Sequence, residues 1–391
     1  MANSTEGQDT FTMNSNLIWI NACEASADNY GAMLMQELKK SCPDMDIMGM
    51  GGVAMRASGL QTVFRSEDLS LVGLTEVIGA LPRIMGYLKK IKCLLKQNRP
   101  DIIILLDAPD FNFRLAKMAS SLGIPVLYYI APQVWAWRKS RVRFLKKHVQ
   151  AVACIFPFEK SFFQQHGIDA EFAGHPLMEM LDFSRLQQLP VTDNQICILP
   201  GSRKREISSL MPVFFQAAEI LHSSHPDLHF KVVQAPGMSL DYIRQFCPHR
   251  TWLKFVPAEN RYETIKQSSM AMAASGTVTL ECAVLEVPAV VAYKLSRLSY
   301  LAGRMLIRVK HISMPNLIMN RDIYPELIQN QASSDKVAAC LKSWIDNQSH
   351  RFAIRTELKK IKEILGKKSA SRTCARMALE LINKGQVNAE N

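Results

Sequence analysis

The run Leu199-Pro200-Gly201-Ser202-Arg203-Lys204-Arg205-Glu206-Ile207 sets a glycine turn against three consecutive cations. Ahead of it, Asn194 to Leu199 reads as a buried strand through Ile196, Ile198 and Leu199. Behind it, Ile207, Leu210, Met211, Phe214, Phe215 and Ala218 recur at helical spacing as far as His222. A strand, a glycine turn and a helix start expose backbone N–H groups, and the helix dipole adds positive potential. Arg203 adds a planar fork suited to phosphate oxygens. The chemistry implied is anion binding by Gly201, Ser202 and Arg203, most simply of a diphosphate. An ordinary strand-turn-helix with exposed basic side chains is the plainer reading of the same residues.

A second such turn is Ala274-Ser275-Gly276-Thr277-Val278-Thr279-Leu280-Glu281. Ser275 or Thr277 can cap the helix, and the N–H groups again face outward. Glu281, one helical turn beyond Thr277 on the same face, can accept both hydroxyls of a ribose or stand as an exposed acid behind a plain cap. Two anion-binding turns with a carboxylate favour a nucleotide diphosphate.

Three strand ends carry further candidates. Asp107-Ala108-Pro109-Asp110-Phe111-Asn112-Phe113 follows the apolar run Ile102–Leu106. Asp107 at a strand's carboxyl end can act as a general base, while Asp110 or Asn112 can cap the next helix. Asp107 and Asp110 form an Mg²⁺ pair on paper, but no further Asp, Glu and His set accompanies them. The cationic turns also make an ion less necessary, so no metal and no cofactor are expected. Asn21-Ala22-Cys23-Glu24-Ala25-Ser26-Ala27-Asp28 lacks the glycines of a dinucleotide fingerprint. Its Glu24 falls at a strand end, in the same cleft as Asp107 or as a first-turn helix acid. Tyr128 to Arg138 holds Trp135-Ala136-Trp137-Arg138, which can floor a sugar pocket or pack a core. His175, in Gly174-His175-Pro176, is a lone histidine, more commonly structural than catalytic.

The elements that must position these residues alternate. Leu17–Ala22, Asp46–Met50, Ile102–Leu106, Val126–Ile130 and Val152–Phe156 read as strands, with helices over Ser26–Ser41 and Phe113–Leu122. The pattern restarts with Ile196–Leu199, Phe230–Gln234, Leu253–Val256, Met270–Ala274 and Ala289–Tyr293, and charged helices follow from about Ser334. This predicts two doubly wound α/β halves with ligands at the carboxyl ends of their strands. Pro176 to Val191 is a candidate linker.

Composition fits an enzyme of that build. The chain has 391 residues, 48% hydrophobic, with net charge +12. That excess suits nucleic acid, anionic membrane or an anionic small molecule. No zinc-finger spacing, RNP-like aromatic run or long Arg/Lys block is present, so no nucleic acid is expected. Nine cysteines without a Cys-x-x-Cys read as reduced cytoplasmic thiols. Residues 1–16 are polar, without the apolar region of a signal peptide, and are expected to be a disordered tail. No apolar run reaches the roughly 18 residues of a membrane span. Leu69 to Lys96 interleaves apolar residues, among them Val77, Ile78, Leu81, Ile84 and Met85, with Arg83, Lys89, Lys90, Lys92 and Lys96. It reads as an interfacial helix on anionic lipid, or as a buried helix with a basic outer face.

Taken in order, these motifs resemble the lipid-A-disaccharide synthase family, glycosyltransferases of GT-B architecture. The resemblance runs from about residue 17 to 330. It rests on Glu24-Ala25-Ser26, Leu69-to-Gly79, Asp107-Ala108-Pro109-Asp110-Phe111-Asn112, Val134-Trp135-Ala136-Trp137-Arg138, Phe156-Pro157-Phe158-Glu159-Lys160, Gly174-His175-Pro176, Leu199-to-Arg203, Ser275-Gly276-Thr277 with Glu281, and Pro315-Asn316-Leu317. It implies two Rossmann-like domains facing a central cleft. It also implies attack by the 6-hydroxyl of 2,3-diacylglucosamine 1-phosphate (lipid X) on UDP-2,3-diacylglucosamine, with inversion and loss of UDP. Glu24 and Asn316 match family positions at the site, with Asp107 as base and Gly201, Ser202, Arg203, Ser275, Gly276, Thr277 and Glu281 toward the UDP-sugar. Cys23 and Ala27 stand where the family has glycines, adding a Cβ near substrate.

The expected layout is a tail at 1–16, an acceptor-side domain at 17–185 with a membrane-contacting segment at 69–96, a UDP-sugar domain at 186–350, and helices at 351–391 packing back on the first domain. The expected location is the cytoplasmic face of the inner membrane, bound peripherally to anionic lipids, with a homodimer left open. The competing readings are another UDP-sugar GT-B transferase or epimerase, and a non-catalytic nucleotide-sugar or lipid-binding protein.

Overall fold

The computed structural model describes residues 16–70, 77–132, 134, 140–294 and 310–390, and only the backbone of 25, 69–70, 77–83, 140 and 386–390. Trp135, Trp137, Arg138 and nearly all of the 1–16 tail lie outside the described residues, as do the side chains of Val77, Ile78 and Leu81.

Two all-parallel sheets carry the molecule. The first has strands β1 (Leu17–Ala22), β2 (Asp46–Gly51), β3 (Gln61–Arg65), β4 (Ile102–Leu106), β5 (Val126–Tyr129), β6 (Ala151–Cys154) and β7 (Ala170–Phe172) in the order β3-β2-β1-β4-β5-β6-β7. The second has β8 (Thr192–Leu199), β9 (His229–Val233), β10 (Leu253–Val256), β11 (Ser268–Ala274), β12 (Ala289–Tyr293) and β13 (Glu326–Ile328) in the order β10-β9-β8-β11-β12-β13. Covered on both faces, the central strands carry apolar runs rather than alternating ones: all of Ile102–Leu106 is buried, and so is all of Ser268–Ala274, where only the first two residues, Ser268 and Ser269, are polar and both are hydrogen-bonded. Gly49 has to be glycine where β2 runs beside β1, since a Cβ there would overlap the Ile20 carbonyl oxygen.

Winding reverses between β1 and β4, where Ala22 lies opposite Leu106, and between β8 and β11, where Leu199 lies opposite Ala273. The crevices beyond those strand ends are where such folds hold ligands. They receive Glu24 and Asp107 from the first sheet, and Arg203 and Ser275 from the second.

The strands that sequence periodicity passes over, β3, β7 and β13, are all sheet edges. They are short and partly polar because one side faces solvent: Gln61, Thr62 and Arg65 of β3 are exposed. The expected linker is instead ordered structure. Short helices at Leu177–Met180 and Phe183–Gln187 bury Leu177, Leu181 and Leu186. The closing helices divide. Gln348–Leu365 packs on Thr277–Val284 and Met314–Met319 of the second unit. Ala370–Glu390 returns to the first, lying on Ala25–Ser41 and on β4, β5 and β6. It is tied there by Arg372 to Glu37 (3.2 Å), Arg376 to Glu171 (2.6 Å) and the Ser371 amide to Glu179 (2.9 Å).

Candidate active site

Asp107 does not continue its strand. It and Ala108 take left-handed backbone angles, φ 50° and 44°, before the helix Pro109–Ser121 begins. Such angles cost about 1–3 kcal/mol each for non-glycine residues and persist only where the surroundings impose them. Here the Asn112 side-chain amide donates to the Leu106 and Asp107 carbonyls (3.0 and 2.8 Å), and the Tyr128 hydroxyl donates to the Asp107 carbonyl (2.7 Å). Asn21 on β1 donates to Asn112 (2.7 Å), which closes the brace across both central strands. The brace turns the Asp107 carboxyl into the cleft. Burial, and next the charge of Glu24, push its pKa up to about 6, against the Ala108 amide and Arg203. Asp110 is different: its side chain is 91% exposed and pairs with Arg141 at 2.8 Å.

Glu24 begins the helix Ala25–Ser41 and reaches across the cleft to Arg203 at 3.6 Å. Ala27 lines the cleft. Cys23, at the other replaced family glycine, faces the core beside Asn21 and Met50. Asp28 is fully engaged in structure, accepting from the Gly52, Ala54 and Met55 amides at 2.6, 2.8 and 3.1 Å.

The first basic turn differs from its expected form. Glu206, three residues into the helix Lys204–Ser224, reaches back to accept from the Ser202 and Arg203 amides at 3.0 and 3.3 Å. The spacing is that of a capping box, and it was legible in the sequence. The Ser202 amide is therefore occupied by an internal carboxylate. Gly201, at φ 114°, is required because a Cβ would meet the Glu206 carboxylate at 2.6 Å. What remains for an anion is the Arg203 guanidinium, 67% exposed and 3.6 Å from both Glu24 and Glu206. The second turn is open. No side chain caps the helix Thr277–Val284 among the described residues, the space beside Gly276 is empty, and Thr277 lines the cleft. Ser275 donates to the Ile312 carbonyl (3.3 Å), and Thr279 accepts from the Met314 amide (3.3 Å), which sets the Ile312–Met314 turn against this helix.

Two candidates are withdrawn from the cleft. Glu281 is buried and ion-paired with Arg261. Asn316 is fully buried with its amide spent: it donates to Tyr324 (2.8 Å) and Glu326 (2.9 Å) and accepts from the Ile323 and Tyr324 amides (both 2.9 Å). With Glu326, which also accepts from the Ile312 and Ser313 amides (2.9 and 2.8 Å), Asn316 fixes the turn that carries Met314 into the cleft. Of the apolar set, Ile84 is half-buried against the core and Met85 is 57% exposed.

The cleft, about 400 Å³, is lined from the first unit by Asp107, Ile130, Phe156 and His175 and from the second by Thr277 and Met314. His175 is buried and neutral, its pKa pushed down to about 3 by burial, and its Nδ1 accepts from the Leu177 amide at 3.1 Å. A base and an open helix start therefore line one partly apolar space, and the Arg203 guanidinium stands at its edge, paired with Glu24. Sequence reasoning missed Glu206, Tyr128 and Arg141. Among the described residues no cluster of His, Cys, Asp and Glu is placed to hold a metal.

Comparison with known proteins bears on the family and the fold. Residues 18–380 match the family model described as lipid-A-disaccharide synthetase. Lipid-A-disaccharide synthase of Nitrosococcus oceani is 38% identical over 374 residues, covering 94% of this chain and 96% of that relative. The same enzyme of Syntrophus aciditrophicus is 38% identical over 390 residues, covering 95% and 99%. Among solved structures, UDP-GlcNAc 2-epimerase from Neisseria meningitidis bound to UDP-GlcNAc superposes with TM-score 0.62 at 10% identity, covering 94% of this chain and 99% of that one. The glycotransferase of kitacinnamycin superposes with TM-score 0.61 at 11% identity, covering 93% and 98%. At such identities the structures share the GT-B fold with this chain.

Proposed function

The chain belongs to the lipid-A-disaccharide synthetase family, glycosyltransferases of lipid A biosynthesis that join a UDP-sugar to a lipid-linked acceptor, and from that premise we propose how its own residues do so. The donor is UDP-2,3-diacylglucosamine and the acceptor 2,3-diacylglucosamine 1-phosphate. The Asp107 carboxylate takes the proton of the acceptor 6-hydroxyl as that oxygen bonds to the anomeric carbon from the face opposite UDP. The bond from the anomeric carbon to the diphosphate breaks, and UDP departs carrying the electron pair. One displacement inverts the centre. The charge arriving on the diphosphate is met by Arg203 and by the open amides at Gly276 and Thr277. Glu24 acts on Asp107 rather than on substrate: its negative charge keeps the base strong.

The observation that carries this reading is the braced left-handed turn that places a carboxyl of raised pKa in the cleft that Thr277 also lines, within the field of Arg203. Mixing donor and acceptor with the protein is expected to release UDP and give one β-linked disaccharide. EDTA leaves the rate within about twofold, because cations and amides replace Mg²⁺ at the leaving group. Binding of both lipids without UDP release would overturn the reading, and restoration of an EDTA-abolished rate by Mg²⁺ would overturn its metal-free form.

Membrane contact is part of the same proposal. Among the described residues no helix is long and apolar enough to cross a membrane. In the helix Val77–Asn98, Leu88, Ile91 and Leu95 are buried, whereas Met85, Lys89, Lys90, Lys92 and Lys96 are exposed. That basic face meets anionic headgroups, at about 1 kcal/mol per cation near the surface. Lys90 also lies over the Phe64 ring at 5.1 Å and is left intact in the test. Replacing Lys89, Lys92 and Lys96 by Gln is expected to lower flotation with anionic vesicles by at least about tenfold, with little change on zwitterionic ones. Unchanged flotation would move the contact elsewhere.

A further inference from the structure

The cleft contains one feature the mechanism above does not use. Arg141 lines it beside Asp107, near the start of the helix Ser140–His148. Its guanidinium stacks on the Phe113 ring at 5.1 Å and donates to Asp110 at 2.8 Å, and its side chain is 25% exposed. The other ionisable lining groups include the acids Asp107 and Glu159, while His175 is neutral. Among the described residues lining the cleft, Arg141 is the single cation.

We propose that Arg141 is the anchor for a phosphomonoester on the acceptor, which makes it the residue that selects a phosphorylated sugar over its unphosphorylated counterpart. The inference rests on the acceptor assigned above. A phosphomonoester brings about −1.5 to −2 charges at neutral pH. Asp107, Glu24 and Glu159 would repel it from this cleft unless a cation met it there. Arg141 has the chemistry, a planar fork that takes two phosphate oxygens at once. It is also preorganised, because Phe113 beneath and Asp110 beside it hold the fork before substrate arrives.

Asp110 behaves as a place-holder. Its side chain is 91% exposed, and an ion pair that open to water contributes little. A phosphate can take the guanidinium from it at small cost. The arrangement also fixes spacing. Asp107 and Asp110 belong to one short turn, so the group that receives the acceptor hydroxyl's proton and the group that holds Arg141 are set by the same backbone. A sugar gripped through its phosphate at Arg141 then presents its far hydroxyl to Asp107.

The test compares 2,3-diacylglucosamine 1-phosphate with unphosphorylated 2,3-diacylglucosamine as acceptors, following UDP release from the same donor. The unaltered enzyme is expected to prefer the phosphorylated acceptor. Arg141→Gln is expected to raise the KM for that acceptor by about tenfold to a hundredfold, the scale of a lost charge-assisted contact. It should leave the donor KM and the rate with the unphosphorylated acceptor within about twofold. Arg141→Lys, which keeps the charge and loses the fork, should fall between the two. An equal loss on both acceptors would show that Arg141 only props the turn through Asp110 and Phe113, and would overturn the proposal. So would an unchanged acceptor KM in Arg141→Gln. Failure of the unaltered enzyme to release UDP with either acceptor would instead overturn the assigned reaction itself.

Discussion

Asp107→Asn lowers turnover by about 10²–10⁴-fold, the range that a positioned general base supplies, while UDP binding and the fold persist. The amide matches the carboxylate in shape and cannot take the proton. Because the carboxyl titrates at about 6 in the folded protein, kcat/KM of the unaltered enzyme rises with pH through about 6 and levels above it. Glu24→Gln removes the second-largest cause of that raised value and moves the acid limb to lower pH. Stability runs the other way. A carboxyl whose folded-state pKa is raised favours folding fully only while protonated, below its ordinary value of 3.8, and that contribution is lost as pH rises through about 6. Asp107→Asn therefore melts at an equal or higher temperature than the unaltered protein at neutral pH, and the difference closes below about pH 4. Near-normal turnover in a folded Asp107→Asn protein would remove Asp107 from the chemistry.

The division between what the sequence carried and what it did not follows from where each interaction is written. Runs such as Ile102–Leu106 and Met270–Ala274 are legible because a parallel strand covered on both faces has no polar positions. Once those strands are ordered, acids and glycine turns at their carboxyl ends must gather in the crevice, which brings Asp107, Glu24, Arg203 and Thr277 together. Edge strands were illegible because half of their surface is solvent, as in Gln61–Arg65. The placement of Glu281 and Asn316 was illegible for a different reason. Each is claimed by a partner remote in sequence, Arg261 for one and Glu326 with the Tyr324 backbone for the other. Helical spacing shows which face such a residue lies on, but not what packs there. The helix Val77–Asn98 shows the same ambiguity: Ile84 turns toward the core while its neighbour Met85 is exposed. Glu206 is the opposite case. Its capping-box spacing was in plain view, yet the cations around it drew the reading toward an outside anion.

Arg203→Ala weakens UDP binding by about 1.5–3 kcal/mol, or roughly 10- to 150-fold in Kd, as expected for a lost charge-assisted contact to the diphosphate. The fold should not follow. Arg203 is 67% exposed and its two ion pairs stand at 3.6 Å, a separation and exposure at which such pairs add little to stability. Calorimetric titration with UDP measures the change, and its salt dependence should flatten as the cation is removed. Glu206 supplies the control of opposite sign. Its carboxylate sits on the Ser202 and Arg203 amides, beside the guanidinium that the diphosphate is to engage. Glu206→Gln keeps an acceptor oxygen for those amides while deleting the negative charge, so UDP should bind several-fold tighter at low salt. Opposite shifts from Arg203→Ala and Glu206→Gln locate the diphosphate at this turn, since only a nearby anion feels both charges. An unchanged Kd in both variants would leave the open Gly276–Thr277 helix start to hold the diphosphate alone. Weaker binding in both would make Glu206 the scaffold of the Arg203 site rather than its internal competitor.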